Sequence, residues 1–228
     1  MSLSELLNLL EGMKFGSTVI MENRAPLGVE TLLVVLLRYT HERGIPLFVD
    51  DVLDAFPLYV KHLNLMGVNP HLSSVRVLKM GGRETVGNVV NRGRFDMDPE
   101  IYINRYEKLF SSAAPEEKFI DIVLGMDRLF VFQDTPTGVR TILRAMKPFV
   151  ANRRRMALYM LESGIMENLK TRPLPVLEDL ATSVFELKQE GSQVTVDIRK
   201  DPSMFRTKVD SIELDLREVF PFRNDVTR

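Results

Sequence analysis

One segment near the start of the chain has the residue order in which phosphate chemistry is usually found. An apolar stretch, residues 17–21, is followed by a tight loop, residues 22–28, and by a helix predicted over residues 30–43 and closed by Gly44. Nucleotide-binding α/β domains begin with this succession, because the loop and the helix N-terminus hold phosphate groups. The segment therefore predicts an α/β fold, and its loop is the first place to look for chemistry.

The loop lacks most of the residues that bind phosphate. In the motif G-x-x-x-x-G-K-[ST] the glycines let the backbone wrap the phosphates, the lysine neutralises them and the hydroxyl reaches Mg²⁺. Residues 24–31 read R-A-P-L-G-V-E-T, so only Thr31 matches, while Arg24 and Val29 replace the glycines and Glu30 replaces the lysine. The positions of this degenerate loop are Arg24, Pro26, Gly28, Val29, Glu30 and Thr31.

Glu30 changes the sign of the interaction with a phosphate. At a separation of ~4 Å a unit-charge attraction becomes a repulsion of about 1 to 4 kcal/mol per contact. In the first turn of a helix the same carboxylate is stabilised by about 0.3 to 1 kcal/mol. We therefore expect no nucleotide and no other cofactor at this loop, whose own carboxylate takes the anion position.

Two adjacent carboxylates end the next predicted strand. Asp50 and Asp51 follow the apolar residues 46–49 and precede a helix predicted over residues 55–66. They are the candidates for catalysis in this chain, and the alternative is that they cap the following helix. His41, His62 and His71 lack the spacing of metal-binding histidines, and there is no cysteine, so we expect no metal site.

Basic residues form one dense run. Arg153, Arg154 and Arg155 stand together ahead of a predicted strand and are candidates for a basic patch at an interface. Such a patch suits nucleic acid, whereas the alternative is that the arginines end a helix or protect a strand edge.

Strands and helices alternate along most of the chain. Residues 74–80, 119–125 and 155–161 read as further core strands, residues 88–97 as an additional strand or hairpin, and residues 98–111 as a helix. This alternation predicts a mostly parallel sheet flanked by helices. From about residue 184 a two-residue alternation predicts antiparallel strands.

Length and composition favour one domain. The 228 residues, 45% of them hydrophobic, carry a formal net charge of −1. We divide the single domain 1–228 into an amphipathic helix within 1–16, a parallel core over 17–170 and a C-terminal helix with antiparallel strands over 171–228. No membrane span or signal sequence is predicted, so we expect a cytoplasmic protein without a membrane partner.

The layout resembles that of the RecA-like ATPases, and more closely their KaiC-like branch and uncharacterised archaeal families of the same fold. The similarity rests on the loop segment, the acidic tip at Asp50 and Asp51, the late core strand 119–124, and the run 177–181 with the hairpin after it. It implies a three-layer RecA-like fold with antiparallel strands at the C-terminal side.

The resemblance also implies roles for particular residues. Asp50 and Asp51 match in type the acids that polarise the attacking water. Met126 stands where the metal-supporting acid is expected, with Asp127 one residue late, where strand alternation would turn it to the other side. Arg199 and Lys200 lie in the strand from which ring-forming members reach a neighbour's phosphates, so they are candidate interface residues.

Together these observations predict a non-catalytic RecA/KaiC-like domain that acts as a protein-interaction or regulatory module, with self-association or another protein as partner. The alternative is a ligand-binding protein or enzyme that uses the same crevice with Asp50 and Asp51. A nucleic-acid-associated protein is the third hypothesis.

Overall fold

A computed structural model describes residues 3–202 and 209–220. Residues 203–208 and 221–228 of the predicted C-terminal part, and residues 1–2 of the N-terminal part, lie outside the described residues. The described helices are α1 Leu3–Gly12, α2 Gly28–Arg43, α3 Ala55–Leu65, α4 Pro99–Ala113, α5 Met126–Phe132, α6 Pro136–Met146, α7 Ser163–Glu167, α8 Leu174–Leu180 and α9 Leu216–Val219, with a 3-10 turn at Lys147–Phe149 after α6.

Within the described residues, nine strands form one sheet: β1 Thr18–Asn23, β2 Leu47–Val52, β3 Arg76–Met80, β4 Asn88–Gly93, β5 Phe119–Leu124, β6 Arg155–Glu162, β7 Ser183–Glu190, β8 Gln193–Lys200 and β9 Ser211–Asp215. Their order is β4-β3-β2-β5-β6-β1-β7-β8-β9. The seven strands from β4 to β7 are parallel, and β8 and β9 extend the sheet in antiparallel pairing. The predicted fold class is confirmed.

Helices cover both faces of the sheet, because the side chains of each strand alternate between two cores. Val19 and Met21 of β1 pack with α2 and α3, whereas Ile20 packs with the core that includes residues of α4, α5 and α6. Most of α2 is buried, and Gly44 ends it with a left-handed backbone at φ 62°. The result is the three-layer arrangement expected from the resemblance.

Residues 88–97, all within the described part of the chain, form no hairpin. Their strand β4 pairs in parallel with β3, from Asn88 opposite Arg76 to Gly93 opposite Met80. The parallel pairing explains why the chain then crosses the sheet through α4. That helix begins as predicted, since the side chain of Asp98 accepts hydrogen bonds from Glu100 N and Ile101 N and Pro99 follows it.

Two boundaries near the loop differ from the prediction. β1 continues to Asn23 because its last residues stay in register with β6, where Asn23 lies opposite Glu162. α2 begins at Gly28, two residues early. No helix in residues 3–202 and 209–220 is both long and apolar enough to cross a membrane.

Candidate functional site

The loop between β1 and α2 is a filled turn whose backbone N–H groups bind atoms of the same chain. Arg24 N donates to Leu187 O at 2.9 Å, and Gly28 N donates to Ala25 O at 3.1 Å. Leu27 N donates to the Gln189 side-chain oxygen at 3.0 Å. A phosphate cradle needs such donors to be free and convergent, so this loop has already used donors that a phosphate would need.

Asn23 occupies the space in front of the helix. Its Oδ1 accepts from Ala25 N at 3.2 Å, and its Nδ2 lies 3.0 Å from both carboxylate oxygens of Glu162. A Cβ atom added to Gly28 would lie 2.1 Å from Asn23 Oδ1. Gly28 is therefore required by the close approach of a side chain of this protein.

Thr31, which matches the motif, directs its hydroxyl into the helix. Thr31 Oγ1 donates to Leu27 O at 2.6 Å, and the residue is fully buried. Val29 is also buried, whereas Pro26 is exposed at the tip of the loop. A hydroxyl held this way is turned to the preceding turn of the helix and away from an ion in front of it.

Arg24 crosses the mouth of the loop and binds carboxylates. Its Nε lies 2.6 Å from Glu186 Oε1, and its terminal nitrogens bind Glu167. These contacts tie the loop to α7 and β7 at the solvent edge. The guanidinium is neutralised by two carboxylates of the same chain.

Glu30 lies in the first turn of α2, as the sequence predicts, and its side chain is buried. Its Oε1 is 2.7 Å from His62 Nδ1 on α3, and the Glu30 side chain is only 3% exposed. Both Glu30 and Asp127 act electrostatically on Glu162, whose pKa is raised by burial and by these two neighbours. Tyr59 donates its hydroxyl to Glu162 Oε1 at 3.1 Å. The crevice is thus acidic.

Asp127 differs from its predicted position. β5 ends at Leu124 and Gly125 takes a left-handed backbone at φ 82°, so Asp127 lies in the first turn of α5. Strand alternation no longer governs it, and its carboxylate acts on Glu162 within the crevice. Burial raises the pKa of Asp127. Even so, no metal-binding group of His, Cys, Asp and Glu occurs among the described residues.

Asp51 is committed to structural contacts on the α3 face. Its Oδ1 accepts from Phe56 N at 3.0 Å, and its Oδ2 lies 2.6 Å from the ammonium of Lys79, which is fully buried. Lys79 also binds Asp54. Asp51 thus contacts the start of α3, in line with the capping alternative.

Asp50 faces the opposite side of the sheet, because neighbouring residues in a strand alternate. Its Oδ2 accepts the hydroxyl of Tyr106 at 2.5 Å, and Arg155 Nη2 lies 3.9 Å from the same oxygen. Burial raises the pKa of the Asp50 carboxyl well above its usual range, and the carboxylate of Asp121 adds to this rise. Asp50 and Asp51 therefore do not share one crevice.

Arg155 does not belong to the predicted surface patch. It is 2% exposed and donates from Nε to Asp121 Oδ2 at 2.6 Å, and its guanidinium lies 5.2 Å from the ring centre of Phe110 and 5.5 Å from that of Phe149. Arg155 is the first residue of β6 and its side chain enters the core beside β5. Arg153 and Arg154 stay exposed, and Arg154 donates to Glu116 O at 3.1 Å.

Arg199 and Lys200 bind their own chain. Arg199 Nη1 donates to Glu22 Oε2 at 2.7 Å, and Lys200 Nζ donates to Glu178 O at 2.8 Å. Glu22 is buried, and desolvation together with the nearby Glu178 raises its pKa to about 7. The two basic residues therefore hold α8 against the end of β1.

Several residues of this site carry no signal in the sequence. Asn23 reaches Glu162 because β1 and β6 are adjacent in the sheet, and Gln189 reaches Leu27 because β7 is adjacent to β1. The one available hint is that Glu162 ends an apolar strand, where polar residues of α/β sheets gather.

The fold and the position of this loop define a RecA-like α/β domain, and solved structures agree. The KaiC-like protein PH0186 from Pyrococcus horikoshii superposes with a TM-score of 0.56 at 14% identity, over 89% of this chain and 87% of that chain. PH0250 from the same archaeon gives a TM-score of 0.71 at 23% identity, over 89% and 93%.

A third structure, the uncharacterised protein PH0321 from P. horikoshii in complex with an unknown peptide, gives a TM-score of 0.56 at 15% identity, over 89% and 92%. The chain belongs to the family described as "Pyrococcus protein of unknown function, DUF257", whose model matches residues 8–210. A search of curated proteins found no match.

Proposed function

We propose that this protein is a non-catalytic RecA-like domain whose nucleotide site is closed by its own side chains, and that it acts as a protein-interaction or regulatory module. One observation carries the proposal: Asn23, Gln189 and Glu30 occupy the hydrogen-bonding and charge positions that a bound phosphate would use.

Opening the loop for a nucleotide would be unfavourable in two ways. Each intramolecular hydrogen bond that is broken costs about 0.5 to 1.5 kcal/mol. The incoming phosphates would then face the carboxylates of Glu30, Asp127 and Glu162 with no lysine to offset them. Both effects support the absence of nucleotide binding.

An exposed apolar surface supports the interaction role. Met97, Ile101, Val131 and Phe132 are each about half exposed, and we call them the α4–α5 surface. Gln133 donates to Met97 O at 2.6 Å, so the end of α5 lies beside the start of α4. Apolar patches of this kind usually mark interaction sites. The peptide bound to PH0321 is consistent with a protein-binding role for this fold.

Isothermal titration of the protein with Mg-ATP tests the first half of the proposal. We expect no saturable heat from the wild-type protein, and none from Glu30→Gln, because the filled loop blocks the phosphates even without the Glu30 charge. A micromolar affinity of the wild-type protein would overturn the proposal.

Size-exclusion chromatography with light scattering tests the second half. We expect the wild-type protein to self-associate and Phe132→Asp to be monomeric, because a charge would be buried in the contact. Leu65→Asp is the matched control, since Leu65 is 86% exposed on α3 and lies outside the α4–α5 surface. A monomeric wild-type protein, or equal loss in both variants, would contradict self-association through this surface.

A further inference from the structure

A groove lies between α6 and α8 at the surface of the protein, and we call it the α6–α8 groove. Its volume is about 490 Å³, and its lining residues come from both helices and from Lys147, just after α6. Both helices are anchored in the core by other side chains, among them Ile142 of α6 and Leu177 of α8. The groove is therefore a fixed feature between two packed helices.

The floor of the groove is apolar. Val139 and Leu143 are about one helical turn apart on α6, and Val176 and Leu180 are about one turn apart on α8, so each pair lies on one face of its helix. Val139 is buried, Leu143 and Leu180 are partly buried, and Val176 is 47% exposed. An aliphatic side chain that entered between the two pairs would cover this surface, which favours binding.

A row of positive charges borders the floor. Arg140, Arg144 and Lys147 follow one another at four- and three-residue spacing, which places them along one side of α6. Arg144 pairs with Glu100, whereas the side chains of Arg140 and Lys147 make no hydrogen bond or ion pair with any described residue. The groove thus has two exposed cations without a partner.

One carboxylate, Asp179, lies on the α8 wall among the described lining residues. A further cation lies beside it, since Lys200 Nζ donates to the main-chain oxygen of Glu178 at 2.8 Å and lies 3.3 Å from that of Asp179. The whole chain has a formal net charge of −1, so it has no overall attraction for acidic molecules. Attraction of an acidic partner would therefore be a local property of this groove.

The apolar floor and the basic border together select the occupant. Nucleic acid presents phosphates to a protein and would leave the aliphatic floor uncovered. An amphipathic helix that carries acidic residues beside aliphatic ones matches both parts, because it lays its apolar face into the groove while its carboxylates meet the cations at the border.

We propose that the α6–α8 groove binds an acidic amphipathic helix of a partner protein, with the aliphatic side chains of that helix on the floor and its carboxylates at Arg140 and Lys147. No residue of the filled loop or of the α4–α5 surface lines the groove. The proposal extends the interaction role to a second surface. Its test is therefore separate from the titration with Mg-ATP and from the test of self-association.

Fluorescence anisotropy with a synthetic peptide tests the groove. The probe is a fluorescein-labelled peptide of about 15 residues built from Leu, Glu and Ala, with Leu at three- and four-residue spacing and Glu beside it. We expect a saturable rise in anisotropy with the wild-type protein. A peptide with Gln in place of Glu, and a polyglutamate of the same length without Leu, should each bind about tenfold more weakly or worse.

Reversing the charges of the border should weaken binding and change its preference. Arg140→Glu combined with Lys147→Glu should lower the affinity for the Glu peptide by about tenfold or more, and a peptide with Lys in place of Glu should bind this variant better than it binds the wild-type protein. Lys108→Glu combined with Arg153→Glu is the matched control, because both side chains are exposed, lie outside the groove and change the net charge equally.

The proposal is overturned if the wild-type protein gives no saturable change with the Glu peptide, or if the Gln peptide or polyglutamate binds as tightly. Equal weakening by the control pair and the groove pair would also overturn it. Tighter binding of single-stranded DNA than of the Glu peptide would contradict it in favour of a nucleic-acid surface. The comparisons among peptides and DNA need only the wild-type protein, so they decide the question even if a variant fails to fold.

Discussion

We propose that Glu30 and Asn23 oppose a phosphate in the loop in different ways. The carboxylate of Glu30 opposes it by charge and is itself paired with His62 at 2.7 Å. The amide of Asn23 opposes it by occupying space in front of Gly28. Because the two effects are separate, replacing Glu30 alone would leave the loop closed.

Glu22 makes stability depend on pH. Burial raises its pKa to about 7, above the usual value of an unfolded chain. The folded protein then holds this proton more tightly than the unfolded chain, so stability falls as the pH rises from about 4.5 to about 7. Glu22→Gln should remove this loss. The free energy of unfolding of the variant relative to the wild-type protein should therefore be greater at pH 8 than at pH 4.5, by on the order of 1 kcal/mol.

Urea denaturation of wild-type protein and Glu22→Gln at pH 4.5 and pH 8 measures this effect, with Glu213→Gln as an exposed control. An equal stability difference between wild type and Glu22→Gln at both pH values would contradict the assignment.

Arg155 is predicted to act as a core residue. Arg155→Met leaves the buried carboxylate of Asp121 without its cation, so we expect a loss of about 3 to 5 kcal/mol in the free energy of unfolding. Arg153→Ala, two residues away and exposed, should change stability by about 0.5 kcal/mol or less. Urea denaturation of the two variants compares them. Similar small effects would mean that Arg155 lies at the surface.

At the scale of elements, the β1-loop-α2 unit depends on one contact between its own parts. A methyl group on Gly28 would meet Asn23 Oδ1 at 2.1 Å. Gly28→Ala should therefore destabilise the protein by about 1 to 3 kcal/mol through overpacking. In an Asn23→Ala background the same substitution should cost less, because the clashing oxygen is gone.

A double-mutant cycle measured by urea denaturation tests this coupling. Additive effects of the two substitutions would contradict the close approach of Asn23 to the helix.

The sequence pattern predicts those helix ends that are determined by residues close in the chain. Asp98 and Pro99 start α4 as expected, and Gly44 ends α2 as expected. The alternation of side chains in a strand also implies that Asp50 and Asp51 lie on opposite faces of β2. The hypothesis of one crevice with both carboxylates does not take this alternation into account.

Long-range neighbours could not be predicted in this way. Arg155 is buried because β5 brings Asp121 beside it, and Gln189 reaches Leu27 because β7 is adjacent to β1. Residues 88–97 fit either an additional strand or a hairpin by pattern, and only the parallel pairing with β3 decides between them. The order of the strands in the sheet determines each of these contacts, and that order cannot be predicted from the periodicity of a single segment.

At the scale of the whole molecule, the sheet separates the filled loop from a small cavity on its other face. The filled loop and the acidic crevice lie at the carboxyl end of β1, beside α2. A small cavity lined by Asp50, Tyr102 and Tyr106 lies on the face covered by α4 and α6. The α4–α5 surface is the exposed apolar region that we propose for protein contact.

Calorimetric titration with Mg-ATP tests most directly whether the protein closes the loop against nucleotides with its own side chains, as we propose. We expect no saturable heat for the folded wild-type protein at concentrations where ATP-binding proteins of micromolar affinity are saturated. Saturable binding with a micromolar dissociation constant would contradict it.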